Sequence, residues 1–387
     1  MNNYNLTLPL ELVAKKIENN QRIDEADALM LYNEAPLAML GYYANVIRET
    51  KNGNNVFFNR NIHLEPTNLC VFYCKFCSYS RTLKESEEGW FMSVEDMLTE
   101  LKKHDHKPIT EIHIVGGVHP KLTLDFFCDA LMKIKAHRSD LHIKAFTAVE
   151  LEYMFRKAKV TYAQGFERLK ASGLNSIPGG GAEIFDTEIR EKICADKCNA
   201  EQWLGIHKAA HLLDIPSNCT MLYGHYETYH HRIDHMMQLR NLQDQTNGFN
   251  TFIPLKYRNE GNSMSHLTET TIIEDLKCYA IARIYLDNIQ HLKAYWPMLG
   301  RETSQLTLQF GVDDIDGTID DTTKIYSMAG SEEQNPTLTT QQLVEMIKSA
   351  RRTPIERDTL YNTITDHTHT SFETPTTHAY HALPVIN

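Results

Sequence analysis

The sequence predicts an α/β fold: a (β/α)8 TIM-type barrel, preceded by N-terminal helices and followed by a C-terminal helical extension. Two observations carry this. From Val56 to about Gly330, short apolar runs of strand character alternate with amphipathic stretches of helical period, the pattern of parallel βα units. Eight such runs can be counted, the number that closes a barrel; a doubly wound open sheet is the rival arrangement. The expected division is 1–55 for an N-terminal helical segment, 56–330 for the barrel, and 331–387 for the C-terminal helical extension and tail.

The elements follow in order. Leu10-Glu-Leu-Val-Ala-Lys-Lys-Ile17 spaces its apolar residues as a helix does. Asp24-Glu-Ala-Asp27 opens a second helix, with Asp24 as N-cap and acidic residues in the first turn. Pro36 starts a third, Leu37 to Arg48, and Lys51-Asn-Gly-Asn-Asn55 breaks it. The first four expected strands are 62–65, 111–115, 142–146 and 174–177. The next four are 218–222, 250–253, 291–295 and Thr307-Leu-Gln-Phe310. Helices are expected over 94–103, 124–136, 162–172, 200–213, 229–243 and 270–284, with a short one near Ser304. Ser331-Glu-Glu-Gln-Asn-Pro336 reads as a loop, and a Thr-x-x-Gln box at Thr339 starts a last helix to Ser349. The Thr/His-rich tail, with His367, His369, His378 and His381, reads as unstructured rather than liganding.

Composition narrows the function classes. The chain has 387 residues, 42% apolar and 23% charged, enough for a substantial core without staples. A net charge of −11 with no Lys/Arg-rich run argues against nucleic acid. No apolar run is long enough to cross a membrane. The first residues lack the basic flank and apolar stretch of a secretory signal. Eight cysteines in a chain this long make no disulfide scaffold. The expected compartment is a reducing cytoplasm.

The strongest chemical signal is Glu65-Pro-Thr-Asn-Leu-Cys-Val-Phe-Tyr-Cys-Lys-Phe-Cys-Ser-Tyr-Ser-Arg81. Cys70, Cys74 and Cys77 are spaced C-x3-C-x2-C directly after the first expected barrel strand. Three thiolates can hold three corners of a small iron–sulfur cluster, and most clusters take four. A metal position left open for substrate is the mark of a catalytic site. A zinc site or unrelated buried thiols is the bland alternative. Zinc knuckles, however, pair C-x2-C units or add histidines, and no fourth ligand lies nearby.

This motif, with Phe76 just before the third cysteine, resembles the C-x3-C-x-aromatic-C signature of the radical S-adenosylmethionine (SAM) enzymes. The resemblance implies a 4Fe–4S cluster on Cys70, Cys74 and Cys77, with SAM bound at the open iron and cleaved to a 5′-deoxyadenosyl radical. It implies that Phe76 packs near the adenine. Gly116 and Gly117, in Ile114-Val-Gly-Gly-Val-His-Pro120, then become SAM contacts, although alone two glycines read as a turn. Glu183, after Ile177-Pro-Gly-Gly-Gly-Ala182, is a SAM or substrate contact at the barrel mouth, against a plain flexible loop.

Further segments sharpen the resemblance: Tyr223-Gly-His-Tyr-Glu-Thr228, Ala294-Tyr-Trp-Pro-Met-Leu-Gly300, Gly311-Val-Asp-Asp-Ile-Asp-Gly-Thr318 and Lys324-Ile-Tyr-Ser-Met-Ala-Gly330. Together they are similar to the aminofutalosine synthase family of the futalosine route to menaquinone. That implies addition of the radical to the vinyl group of 3-[(1-carboxyvinyl)oxy]benzoate, with rearrangement and decarboxylation to 6-amino-6-deoxyfutalosine. The alternatives are a dehypoxanthine futalosine cyclase or a deazaflavin (FO) synthase-like enzyme. A one-electron reductant such as flavodoxin or ferredoxin is the implied partner.

A substrate with two carboxylates calls for cationic donors. Arg258, Lys256, Arg81 and His119 are candidates, each against the alternative of a solvated surface charge. Asp313, placed at the end of the eighth strand, is a candidate for a polar substrate group or a loop salt bridge. Tyr295 and Trp296 could stack on the arene or simply pack. The i, i+4 pairs His207/His211 and His231/His235 lack H-E-x-x-H and read as satisfied helix faces. Cys194 and Cys198 lack the further thiolates of a second cluster, since Cys128, Cys219 and Cys278 are scattered.

Overall fold

Local capping sets where the first helices begin. In the computed structural model, which describes residues 7–84, 87–318, 325–330 and 337–372, α1 (Leu8–Glu18) carries Pro9 in its first turn. At α2 (Glu25–Glu34) the Asp24 carboxylate accepts the Asp27 N–H and Asp27 accepts that of Asp24, a reciprocal cap. Helix α3 (Leu37–Asn52) follows Pro36 and stops at Gly53, whose φ of 59° only glycine adopts freely.

Strand β1 (Asn55–Phe58) and strand β2 (Asn61–Leu64) are two halves of one run, broken at Asn59 and Arg60. A loop with two short parallel strands follows, β3 (Leu69–Cys70) and β4 (Arg81–Thr82). Next come α4 (Val94–Lys102), β5 (Glu111–Ile114), α5 (Leu124–His137) and β6 (His142–Ala145). Four helices follow without a named strand: α6 (Ala148–Ala158), α7 (Tyr162–Ala171), α8 (Thr187–Cys194) and α9 (Ala200–His211). Alternation resumes with β7 (Ser217–Tyr223), α10 (Tyr229–Thr246), β8 (Phe249–Lys256), α11 (Ile272–Tyr285) and β9 (His291–Ala294). Then come α12 (Trp296–Leu299), α13 (Arg301–Thr307), β10 (Asp314–Ile315) and α14 (Ile325–Met328). The described chain closes with α15 (Thr340–Ser349), β11 (Thr353–Arg357) and β12 (Thr363–Asp366).

Among the described residues, one seven-stranded sheet runs β12-β11-β1-β10-β9-β8-β7 and a three-stranded sheet runs β2-β5-β6. All pairings are parallel except β11 with β12. Isolated parallel bridges, Lys144 to Ser176 and Ile177 to Ser217, lie between β6 and β7. The fold is thus a mixed α/β arrangement with its sheets parallel almost throughout. One apolar cluster joins Leu10 of α1, Leu40 of α3, Ile112 of β5, Ile281 of α11 and Leu343 of α15. No helix among the described residues is long and apolar enough to cross a membrane.

The structure departs from the sequence reading in places. Residues 307–310, expected as the eighth strand, end α13 and turn; Gly311, with φ of 96°, turns the chain before β10. A short apolar run such as Thr307-Leu-Gln-Phe310 has no periodicity to separate strand from buried helix end. Residues 174–177 contribute only the bridges at Ser176 and Ile177. Helices α6 and α8 and strands β1, β11 and β12 were not foreseen. The C-terminal extension is therefore a helix plus a hairpin, and His367, expected in an unstructured tail, is buried with Nε2 3.1 Å from Glu356. Ser331–Pro336, Lys324, His378 and His381 lie outside the described residues.

Candidate active site

The loop after β2 is held from several directions. Val71 N–H donates to Val118 O at 2.9 Å, Lys75 N–H to Ile193 O at 2.8 Å, and the Thr67 hydroxyl to Trp90 O at 2.6 Å. The sulfurs are met by backbone donors: Cys70 Sγ by the N–H of Phe72 (3.4 Å) and of Val118 (3.3 Å), Cys77 Sγ by that of Ser80 (3.4 Å). Such donors favour thiolates and tune clusters. Burial pushes the Cys70 and Cys74 thiols upward, and bound iron would hold them deprotonated. All three are half-buried and free of disulfides. Among the described residues no three His, Cys, Asp or Glu converge as ligands of a single ion would; a cluster does not ask for that, because each thiolate binds its own iron. The loop thus carries three free thiols, the donor set that three corners of a 4Fe–4S cluster take.

Gly116 and Gly117 sit where β5 passes this loop. A Cβ on Gly116 would lie 2.7 Å from Thr67 O, and one on Gly117 2.5 Å from Leu69 O, so only glycine permits the approach. Gly117 N–H donates to Thr67 O at 2.7 Å. Gly116 N–H donates to Glu150 Oε1 at 3.2 Å. Burial raises the Glu150 carboxyl to about 7, against the hydrogen bonds from Thr147 and Gly116 that lower it.

A cavity of about 300 Å³ opens beside the loop, with Phe76, Cys77, Ser78 and Tyr79 at its rim. Leu222, Ile253, Leu255 and Met298 supply apolar walls, with Tyr295 beside them. Gly179, Gly180 and Glu183 border it from the segment before α8. The cavity floor is a charged group drawn from β5, β6, β9 and the end of β10: Glu111, His113, Lys144, Lys293 and Asp316. Lys144 Nζ pairs with Glu111 at 2.7 Å and Lys293 Nζ with Asp316 at 2.8 Å. Burial outweighs Glu111 and holds Lys144 below its ordinary value. For Lys293 burial is outweighed by Asp314 and Asp316, which hold it above. Burial, His63 and Lys144 push His113 well down, so it is a neutral imidazole.

The expected residues divide. Phe76, Cys77, Glu183, Lys256, Arg258 and Tyr295 line the cavity. Arg258 pairs with Glu269 at 3.3 Å and donates to Gly330 O at 2.8 Å, while Lys256 pairs with Asp275 at 2.8 Å. Glu183 is in a buried pair with Lys197, whose ammonium lies 5.2 Å above the Phe76 ring. Three candidates fall elsewhere. His119 packs on Phe91 and accepts the Lys121 N–H, outside the cavity lining. Arg81 pairs with Glu88. Asp313 precedes β10 and is fully buried among Arg283, His291 (2.6 Å) and the Leu292 N–H (2.8 Å). Shifting the strand from 307–310 to 314–315 carries Asp313 from the expected catalytic end to the opposite one, and Asp316 lines the cavity instead.

His113, Lys144, Lys293 and Asp316 were missed as site residues. A signal was present: His142-Ile-Lys-Ala145 and His291-Leu-Lys-Ala294 each put a lysine inside a strand, and a buried lysine needs a reason. The helix histidines make structural contacts: Nδ1 of His207 and Nε2 of His211 both lie 2.8 Å from Ser217 Oγ, and His235 Nε2 lies 2.9 Å from Thr220 O.

Residues 64–239 match the Radical SAM superfamily and 246–370 the CofH/MqnC C-terminal region. The aminodeoxyfutalosine synthase of Thermus thermophilus is 40% identical, covering 91% of this chain and 95% of that protein. That of Streptomyces coelicolor is 37% identical, covering 91% and 93%. The cyclic dehypoxanthine futalosine synthase of Streptomyces coelicolor is 35% identical, covering 89% and 86%. Among solved structures, the FeFe-hydrogenase maturase HydG from Carboxydothermus hydrogenoformans superposes with a TM-score of 0.71 over 91% of this chain and 80% of that one, at 16% identity, a likeness of fold alone. The chain belongs to the radical SAM superfamily, in the branch that carries the CofH/MqnC C-terminal region and includes the aminodeoxyfutalosine synthases.

Proposed function

We propose that the chain catalyses aminodeoxyfutalosine formation for menaquinone biosynthesis: addition of the 5′-deoxyadenosyl unit to the vinyl carbon of 3-[(1-carboxyvinyl)oxy]benzoate, rearrangement onto the arene, and decarboxylation to 6-amino-6-deoxyfutalosine. The observation that carries this is near full-length similarity to aminodeoxyfutalosine synthases, 40% over 91% of the chain. The cavity supports it, since apolar walls suit an arene and the ammonium groups of Lys144 and Lys293, each already paired with a carboxylate, retain donors for a substrate carboxylate.

A 4Fe–4S cluster on Cys70, Cys74 and Cys77, together with SAM, supplies the radical. Phe76, Gly116, Gly117 and Glu183 are proposed SAM contacts, Phe76 and Glu183 from the cavity rim and the glycines by letting β5 approach the loop. Arg258 is a proposed substrate contact. Asp313 and His119 are proposed only as supports of the strand and loop they brace. The apolar walls exclude water from a reactive radical. Closure of the strands into a (β/α)8-type barrel is supported by the bridges at Ser176 and Ile177 and by β10 pairing with β1. Within the proposed division 1–55, 56–330 and 331–387, the described residues of the outer parts pack on the central one, as α3 does on α11 and β11 on β1. A flavodoxin or ferredoxin is the proposed reductant, and the cytoplasm the proposed compartment.

Futalosine cyclisation by hydrogen abstraction is the second reading, favoured by the 35% identity to a cyclic dehypoxanthine futalosine synthase. Product analysis separates the two. Anaerobic enzyme with reconstituted cluster, SAM and the enolpyruvyl benzoate is expected to yield the adenosyl adduct. Release of free 5′-deoxyadenosine alone, with no adduct, overturns the proposal.

A further inference from the structure

We propose that His113, Lys144 and Lys293 form the subsite that takes one carboxylate of the substrate, with Nε2–H of His113 as a direct donor. This rests on the reading above that the substrate is an aryl ether bearing two carboxylates.

Strand register brings the group together. In the parallel pairing of β2, β5 and β6, His63 lies beside His113 and His113 beside Lys144. The His63 ring meets the His113 ring edge-on, 4.8 Å between centroids at 88°, and fixes its orientation. Nε2 of His113 is buried and has no hydrogen-bond partner among the described residues, although the residue lines the cavity. Buried polar atoms are normally paired, and this one belongs to a residue that lines the cavity, where a ligand would supply the partner. A neutral imidazole there donates without adding the cost of a buried charge.

The two lysines flank it from β6 and β9. Each ammonium has three donors. Lys144 gives one to Glu111, and Lys293 gives one to Asp316 while lying 3.6 Å from Asp314. Their counter-ions are shared: Glu111 also accepts from Thr359 at 2.6 Å, and Asp314 from Arg357. The lysines are therefore held in place with donor capacity to spare. Phe76 and Cys77 of the cluster loop line the same cavity. A substrate that presents its vinyl carbon to that loop finds these donors within the same cavity for its polar end.

The test is equilibrium dialysis of the holoenzyme with SAM and an oxidised cluster, so that no turnover occurs. The probes are the enolpyruvyl benzoate diacid and its two monomethyl esters. His113→Ala and His113→Phe are each expected to weaken diacid binding about tenfold and to leave unchanged the weak binding of whichever ester lacks the recognised carboxylate. His113→Gln, which keeps a donor, is expected to recover most of the loss. His113→Phe preserves the ring contact with His63, so the comparison stands even if the alanine variant does not fold. Equal losses on all three probes, or none, overturn the subsite. Wild-type enzyme that binds none of the probes overturns the substrate reading first; wild-type binding with indifferent variants overturns the subsite alone.

Discussion

The hydroxyl of Thr359 donates to Glu111 at 2.6 Å, tying the C-terminal hairpin to the carboxylate that pairs with Lys144. Arg357, two residues earlier, does the same for Asp314, which neighbours Lys293. Thr359→Val removes one buried hydrogen bond. Expected are a loss of about 1 kcal/mol in denaturant unfolding and a raised KM for the enolpyruvyl benzoate with KM for SAM unchanged. A variant that shifts SAM affinity alone would contradict the link from hairpin to floor.

The three thiols are expected to be individually indispensable. Cys70→Ala, Cys74→Ala and Cys77→Ala should each come out of anaerobic reconstitution without the broad visible absorption of a cluster, and should not cleave SAM. Cys194→Ala and Cys198→Ala should retain both properties. Iron and sulfide counts per chain check this, and full iron loading in any of the first three variants contradicts the ligand set.

Gly117→Ala tests the close approach of β5 to the cluster loop. Its Cβ would lie 2.5 Å from Leu69 O, so strand or loop must shift, at a cost of about 1–3 kcal/mol. Expected are poorer cluster retention and weaker SAM binding with an unchanged far-ultraviolet spectrum. Wild-type SAM affinity would mean that the loop yields freely.

Glu150 makes stability depend on pH. Its carboxyl is raised from 4.5 to about 7 by burial, so the folded chain binds the proton more tightly than the unfolded one. The resulting stabilisation is full below 4.5 and is lost as pH rises through 7. Glu150→Gln does not titrate. Relative to wild type its unfolding free energy should improve by about 2 kcal/mol between pH 5 and pH 8. Parallel pH profiles for the two chains would show that Glu150 is not the titrating group.

What the sequence reveals depends on how local each cause is. The cluster loop is legible because its three ligands fall within eight residues, and the Asp24 and Thr339 caps because a cap spans one turn. Asp313 was misplaced by one short element: no periodicity separates Thr307–Phe310 from a strand, and a slip of a few residues exchanges the two ends of a parallel sheet. The floor stayed hidden for a different reason. Lys144 and Lys293 stand in near-identical surroundings, His-Ile-Lys-Ala and His-Leu-Lys-Ala, but their meeting depends on which strands are neighbours. The hairpin partners Thr359 and Arg357 carry no local sign that they reach Glu111 and Asp314.

Strand β11 lies beside β1, with Asn55 opposite Thr353 and Phe58 opposite Glu356. The consequence is one of timing. A pairing between residues so far apart must wait for nearly the whole chain and closes a very long loop, a slow step. Cys70 to Cys77 leave the ribosome long before Thr353 to Thr359. During synthesis the cluster ligands are thus made before Thr359 and Arg357 exist to brace Glu111 and Asp314.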